Sequence, residues 1–323
     1  MRTGVNPEKF KEEKLSDFFH RIIIPVYIPN LNEEYYCNQL EVFEKFLDQL
    51  INTINPQTTV ITLINNNSCD EITSVIEKWR TSIDKLVFYR ENKGKVFPIL
   101  LEVRSATEPF ITISDADVLF YKGWEQAVFK VFASCPKAGV VAPLPSPALA
   151  FYENTAVFTD NYLMGGIAYQ KVMSDTDAEL YLAGMGNDSL LNRKNRTYSW
   201  KERQYVLKGK NAIIGCGHFV ATYRSELFKD KTNYPIFKFK NGLERDFIDA
   251  LSNEKGYYRL STPKTYAYHM ANNLDEHSKS FSLEKENKVS EGLIKRAIYS
   301  RRSLLPLALR KLVFRIIKRF LKL

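Results

Sequence analysis

The chain is 323 residues long with 45% hydrophobic side chains, enough to bury a large core, which excludes wholesale disorder. At roughly 150 residues per domain, two lobes or one large α/β domain with insertions is expected. The net charge of +9 points to nucleic acid only until it is mapped: residues 293–323 hold ten of the 46 basic residues and no acid, leaving 36 against 37 elsewhere, so nucleic acid is excluded as a partner and only the tail is basic.

Residues 1–20 read as a charged leader with at most one short helix, and the polar start Met1–Lys14 argues against a secretory signal. Ile22-Ile23-Ile24-Pro25-Val26-Tyr27 predicts a buried strand. Leu40–Ile54 repeats apolar residues at helical spacing, and Thr59–Ile64 is a second strand closed by the turn formers Asn65-Asn66-Asn67-Ser68. A helix over Glu71–Arg80, a strand over Lys85–Tyr89, a helix over Phe97–Ala106 and a strand over Phe110–Ser114 follow. Fully apolar strands separated by helices predict an α/β protein with a mostly parallel sheet covered by helices on both faces. From 143 to 210 the pattern weakens, with Pro143, Pro145 and Pro147 breaking regularity and a polar end at Arg193-Lys194-Asn195-Arg196. This stretch is expected to be an insertion or acceptor-side region, not an independent domain. Regularity returns at Ala212–Gly217 and lasts to about His269. Cys37, Cys69, Cys135 and Cys216 lie far apart, which predicts reduced thiols in a cytoplasmic chain.

The chemistry centres on Ser114-Asp115-Ala116-Asp117. Two carboxylates at i and i+2 directly after an apolar strand sit at the sheet edge where open α/β folds bind ligands. Hard oxygen ligands there suit a divalent cation shared with phosphate oxygens. Asp175-Thr176-Asp177 has the same spacing but follows no strand, so it is read as ordinary surface acid. Pro25 and Tyr27 end the first strand, and Asn65, Asn67 and Asp70 lie in the turn after the second. That turn offers amides to a nucleobase, or is simply a capped βα turn. Asn92 and Lys95 flank a glycine turn after the third strand, either as donor-site groups or as a solvated loop.

Taken in order, these motifs resemble the GT-A glycosyltransferases of the large family-two type. Gly215-Cys216-Gly217-His218-Phe219 through Arg224 is similar to the family's glycine-rich strand, and Gly242-Leu243-Glu244-Arg245-Asp246-Phe247-Ile248-Asp249 to its acidic segment. Lys255-Gly256-Tyr257 and Tyr268-His269-Met270 are similar to its closing elements, so the resemblance runs from about 21 to 270. It implies a Rossmann-like GT-A fold divided into a leader (1–20), a nucleotide-sugar-binding half (21–142), the acceptor-side region (143–210), an acceptor and catalytic half (211–292) and a basic tail (293–323). It implies donor contacts from Pro25, Tyr27, Asn65, Asn67, Asp70, Asn92, Lys95 and Asp115. A divalent metal, Mn2+ or Mg2+, would be held by Asp115, Asp117 and His269. The base would be Asp246 or Glu244, with Asp246 preferred for lying one turn before Asp249. His20, His218 and His277 are read as packing residues, although His218 falls near the implied acceptor floor.

The tail adds a location. On a helical wheel, Lys311, Arg315, Lys318, Arg319 and Lys322 share one arc of 309–323 and the apolar residues the other, with Arg310 alone out of pattern. Pro306 is expected to set the helix start. Such a helix predicts peripheral attachment of 304–323 to anionic lipid on the inner face of the cell membrane, or else a helix packed on the body with a solvated basic face. The expected function is metal-dependent, inverting transfer of a sugar from a nucleoside diphosphate sugar to a saccharide hydroxyl. The anchor implies a lipid-linked acceptor in surface-polysaccharide assembly. Two rivals are a haloacid-dehalogenase-like phosphatase, with Asp115 as nucleophile on a strand similar to Ile113–Leu119, and a non-catalytic, membrane-associated sugar-binding protein.

Overall fold

The computed structural model describes residues 3–13, 17–186, 199–230, 232–282 and 289–321. Arg193–Arg196 and the tail residues Lys322 and Leu323 lie outside the described residues. Instead of a regular helix, the leader contributes a short 3-10 turn at Pro7–Phe10, capped by Asn6.

The predicted alternation is present. Strand β1 (His20–Val26) leads to helix α1 (Gln39–Thr53), β2 (Thr59–Asn65), α2 (Asp70–Lys78), β3 (Lys85–Phe88), α3 (Val96–Ser105) and β4 (Phe110–Ser114). Next come β5 (Val118–Phe120), α4 (Trp124–Ser134) and β6 (Ala138–Ala142). The middle segment holds α5 (Thr155–Asn161), β7 (Ile167–Gln170), α6 (Asp175–Met185) and β8 (Gln204–Leu207). The rest is β9 (Ala212–Ile214), β10 (Val220–Arg224), α7 (Ala250–Glu254), β11 (Tyr258–Ser261), β12 (Ala267–His269), α8 (Glu276–Ser280), α9 (Glu291–Ile298) and α10 (Leu307–Phe320).

Ten strands form one sheet in the order β3-β2-β1-β4-β10-β6-β11-β9-β8-β7, and β5 and β12 pair separately. Within the large sheet β1, β2, β3, β4, β6, β8 and β11 run one way; β7, β9 and β10 run the other. The sheet is therefore mostly parallel and flanked by helices. Its central strands are apolar because both faces are covered: Ile22, Ile23 and Ile24 of β1 are fully buried between β2 and β4. The weakly patterned middle segment joins this sheet, with β7 and β8 at its edge. Its Asp175-Thr176-Asp177 opens α6, where the Ser174 hydroxyl caps Asp177 N–H and Asp177 accepts from Thr265 N–H, a capping use of the acids.

Helix α10 seats one arc on the body. Phe314 packs on Phe151 and Phe158, and Ile317 is buried beside it. Arg310, the residue out of pattern, is 2% exposed. It donates to the carbonyls of Asn253 (2.5 Å) and Glu254 (3.0 Å), the last residues of α7, where the Asn253 carbonyl also accepts from Gly256 N–H at 3.2 Å. Leu309, Leu312, Ile316 and Phe320 remain exposed as a second apolar stripe beside Lys311, Arg315 and Arg319. No helix among the described residues is long and apolar enough to cross a membrane.

Candidate active site

Parallel registers align Val26 of β1 with Asn65 of β2 and Asn65 with Phe88 of β3, so the loops after these strands open at one sheet edge. Asp115 follows β4 at the same edge, its N–H donating to Phe219 O at 2.7 Å. A cavity of about 320 Å³ lies there, lined by Pro25, Tyr27, Asn92, Lys95, Asp115 and Asp117, all singled out by the sequence. Tyr35, Tyr36 and Phe239 complete an aromatic wall that carried no motif.

Asn65, Asn67 and Asp70 stand outside this lining. Asn65 is 3% exposed, its Oδ1 accepting from Ser68 N–H and its Nδ2 donating to Thr73; it closes the turn. Asn67 supplies the left-handed corner at φ 71°, a conformation asparagine tolerates. Asp70 begins α2. The cavity residue from this run is Asn66, whose Nδ2 donates to Asn92 Oδ1 (2.9 Å) and Gly94 O (3.1 Å) while its Oδ1 accepts from Lys93 N–H (2.9 Å). Gly94 is at φ +75°, and a Cβ there would sit 2.4 Å from Lys238 O. Glycine is required for that close approach.

A second cavity, about 620 Å³, adjoins the first; Lys95 and Phe239 line both. Its floor carries Tyr152, His218, Glu244 and Asp249. Lys95 Nζ is 2.6 Å from Asp115 Oδ1 and 2.7 Å from Glu244 Oε1, bridging the two cavities. Burial would lower the Lys95 pKa, but the two carboxylates outweigh it and hold the ammonium charged. Burial raises the Asp115 pKa, opposed by Lys95 and reinforced by Asp117.

Glu244 and Asp246 part company. A π-helical turn, Arg245–Asp249, precedes α7 and turns the acids to different sides. Glu244 faces the second cavity, whereas Asp246 is 54% exposed and ion-paired with Arg245 at 2.8 Å. Asp249 is 1% exposed, held by Arg259 at 3.1 Å and by the Tyr152 hydroxyl at 3.0 Å. His218, read from sequence as packing, stands between them: Nε2 is 3.5 Å from Glu244 and Nδ1 is 3.6 Å from Asp249. Its place directly after the glycine-rich stretch Gly215-Cys216-Gly217 was the available signal. His20 and His277 are packing residues, bonded to Glu125 and Tyr121 respectively.

Asp115, Asp117 and His269 present ligand atoms within 4.8 Å of one another. Asp117 Oδ1 is buried and has no hydrogen-bond partner among the described residues, a cost that a cation would remove. His269 Nδ1–H donates to Gly184 O at 2.8 Å, which leaves Nε2, 3.2 Å from Asp117, facing the carboxylates. Burial would lower the His269 pKa, but Asp117 pushes it up to about 9. Two carboxylates and an oriented imidazole form a donor set that fits Mn2+ or Mg2+.

The family model Glycosyl transferase family 2 matches residues 25–230. No curated protein sequence matches the chain. Among solved structures, residues 1–349 of S. aureus TarS are similar at 14% identity and TM-score 0.47, over 77% of this chain and 59% of that one. The same TarS fragment in complex with UDP-GlcNAc is similar at 17% identity and TM-score 0.47, over 91% and 70%. Mannosyltransferase PcManGT from Pyrobaculum calidifontis, in complex with GDP-Man and Mn2+, is similar at 16% identity and TM-score 0.44, over 76% and 55%. This chain thus spans 59% and 55% of the length of the first two structures it matches.

Proposed function

The chain belongs to glycosyl transferase family 2, and from that premise we propose a GT-A glycosyltransferase that uses a nucleotide sugar in a metal-dependent, inverting transfer to a saccharide hydroxyl across the two joined cavities. The first cavity takes the donor. Pro25, Tyr27 and Asn92 line its nucleoside side, and Asp115, Asp117 and His269 would hold the cation at its diphosphate. When bound, that cation supplies positive charge against the charge growing on the departing nucleoside diphosphate.

The second cavity takes the acceptor. Glu244 is the base this geometry supports, because its carboxylate lines the second cavity and meets Lys95, which lines both, while Asp246 is 54% exposed and turned to Arg245. Glu244 accepts the hydroxyl proton as the oxygen attacks the sugar carbon and the diphosphate leaves from the opposite side. His218, with buried Asp249 behind it, orients Glu244. Attack from the face opposite the leaving group gives inversion.

The observation that carries this reading is the Asp115–Lys95–Glu244 bridge, which joins the diphosphate side to the base. A nucleotide-sugar panel tests it, assayed by thermal shift and by donor hydrolysis with and without manganese. One donor stabilised and hydrolysed only with metal is expected. Phosphate release from simple monoesters would instead support the phosphatase reading, in which Asp115 attacks phosphorus; its position after a fourth strand opposes that.

The membrane proposal rests on the α10 stripe Leu309, Leu312, Ile316 and Phe320 beside its cations. This is the pattern of a helix lying in a lipid interface. Phe151, which packs on Phe314, adjoins Tyr152 of the acceptor cavity. That neighbourhood favours a lipid-linked acceptor at the cytoplasmic membrane face, in surface-polysaccharide assembly.

A further inference from the structure

The ribbon of β5 and β12 has the metal-side residues at one end and a different feature at the other. Met270 N–H donates to Asp117 O at the first end, and Tyr121 N–H to Tyr266 O at the second. Between them lie the pairs Val118–His269, Leu119–Tyr268 and Phe120–Ala267, a span of roughly 10 Å. Beyond Tyr121 and Tyr266 opens a groove of about 960 Å³, between one face of α4 and the turn joining β8 to β9. Lys122, Lys130, Lys210 and Lys264 line it with Gln126 and Tyr266, and among the described residues no carboxylate does.

Lys210 also lines an adjoining groove of about 480 Å³, with Lys137, Lys208, Tyr299 and Arg301 and again no carboxylate among the described residues. Lys137 is ion-paired with Asp160 at 2.6 Å. Lys122, Lys208, Lys210 and Lys264 have no carboxylate partner among the described residues. The chain outside the tail carries about as many acids as bases, so a run of cations without acids is a local arrangement, not a spill-over of net charge. Clustered like charges repel, and a polyanion relieves them.

We propose that these joined grooves bind an anionic saccharide chain. The lysines act as point charges for its carboxylates or phosphates, Gln126 bonds hydroxyls, and the Tyr266 ring offers an apolar face to a sugar. That the bound chain is the acceptor rests on the transferase reading above; that the groove binds it does not.

The test is fluorescence anisotropy of the full chain with a labelled oligogalacturonate hexamer and with a neutral glucan hexamer. The acidic hexamer should bind, weakening with added salt, and the neutral one should not. Lys130→Glu with Lys264→Glu should weaken it about tenfold or more, the scale of two lost charge-assisted contacts. Lys130→Gln with Lys264→Gln should give a smaller loss in the same direction, at an unchanged melting temperature. Arg315→Gln with Arg319→Gln on α10 should bind as wild type. Unchanged affinity in both lysine pairs, or a loss carried by the α10 pair instead, overturns the proposal. So does binding of anionic phosphatidylglycerol vesicles, but not of the hexamer, that the lysine substitutions abolish. Metal-dependent nucleoside diphosphate binding on the same samples keeps the readings apart, since its absence in wild type sinks the transferase assignment and leaves the groove result standing.

Discussion

Glu244 and Asp246 are two positions apart and face different surroundings, and that difference can be measured. Glu244→Gln should lower turnover by about 100-fold or more, the scale of lost general-base help, with donor affinity retained in calorimetry. Asp246→Asn should stay near wild type; the reverse outcome would transfer the base to Asp246. Asp117→Ala should abolish manganese-dependent binding of nucleoside diphosphate while leaving the protein folded, because its buried Oδ1 makes no hydrogen bond among the described residues and its other oxygen gives up only the 3.2 Å pairing with His269. Unchanged affinity would remove Asp117 from the metal set. The Asp115/Asp117 pair was legible because strand and carboxylates are adjacent in sequence. Glu244 and Asp246 were not separable, because a π-turn shifts side-chain direction without leaving a composition signal. Asn66 was hidden for a similar reason. Three successive asparagines look alike in sequence, and only the corner at Asn67 decides which one reaches the next loop.

Helices α7 and α10 depend on each other through Arg310. Arg310→Met removes one donor from each of two terminal carbonyls and should cost about 1–3 kcal/mol, read as a lower denaturation midpoint and earlier proteolysis of the tail. Unaltered stability would mean water replaces the guanidinium without loss. Arg310 could be seen as an exception to the helical wheel, but its purpose could not, since Asn253 is 57 positions away. The same wheel predicted one apolar arc, and the structure divides it between a packed face and an exposed one. Before α10, Glu226 anchors the chain by accepting from Tyr257 (2.7 Å) and Arg302 (3.2 Å). Burial would raise its pKa, but the Tyr257, Ser300 and Arg302 donors overcome this and lower it. A depressed carboxylate stabilises fully above its unfolded value of about 4.3 and loses that contribution as pH falls through the folded value. The melting-temperature gap between wild type and Glu226→Gln should therefore be widest near neutrality and close on acidification below about pH 4. A gap independent of pH would show that the glutamate acts by shape alone.

At the scale of the molecule, the parallel half was readable because β1 to β4 and their helices follow one another along the chain. The other half was not, since β10 enters between β4 and β6, and β8 and β7 reach the edge from a segment with little periodicity. The exposed stripe on α10 predicts that Leu312→Ser with Ile316→Ser lowers binding to anionic vesicles several-fold, while Phe314 and Ile317 keep the helix seated. Co-sedimentation checks it, and equal binding would end the membrane reading. Deleting 304–323 is a poorer test, since it also takes away Arg310 and the buried face. The Arg310 cap has a further consequence, for order of synthesis. On the ribosome, the strands flanking the cavity beside Asp115 are finished long before residue 310 is made, and the turn carrying Glu244 leads into a helix whose far end still lacks its guanidinium. A chain released before residue 310 would have the cavity beside Asp115 yet hold Glu244 on an unfastened arm, so a helix made long after those strands is the latch on the turn that carries Glu244.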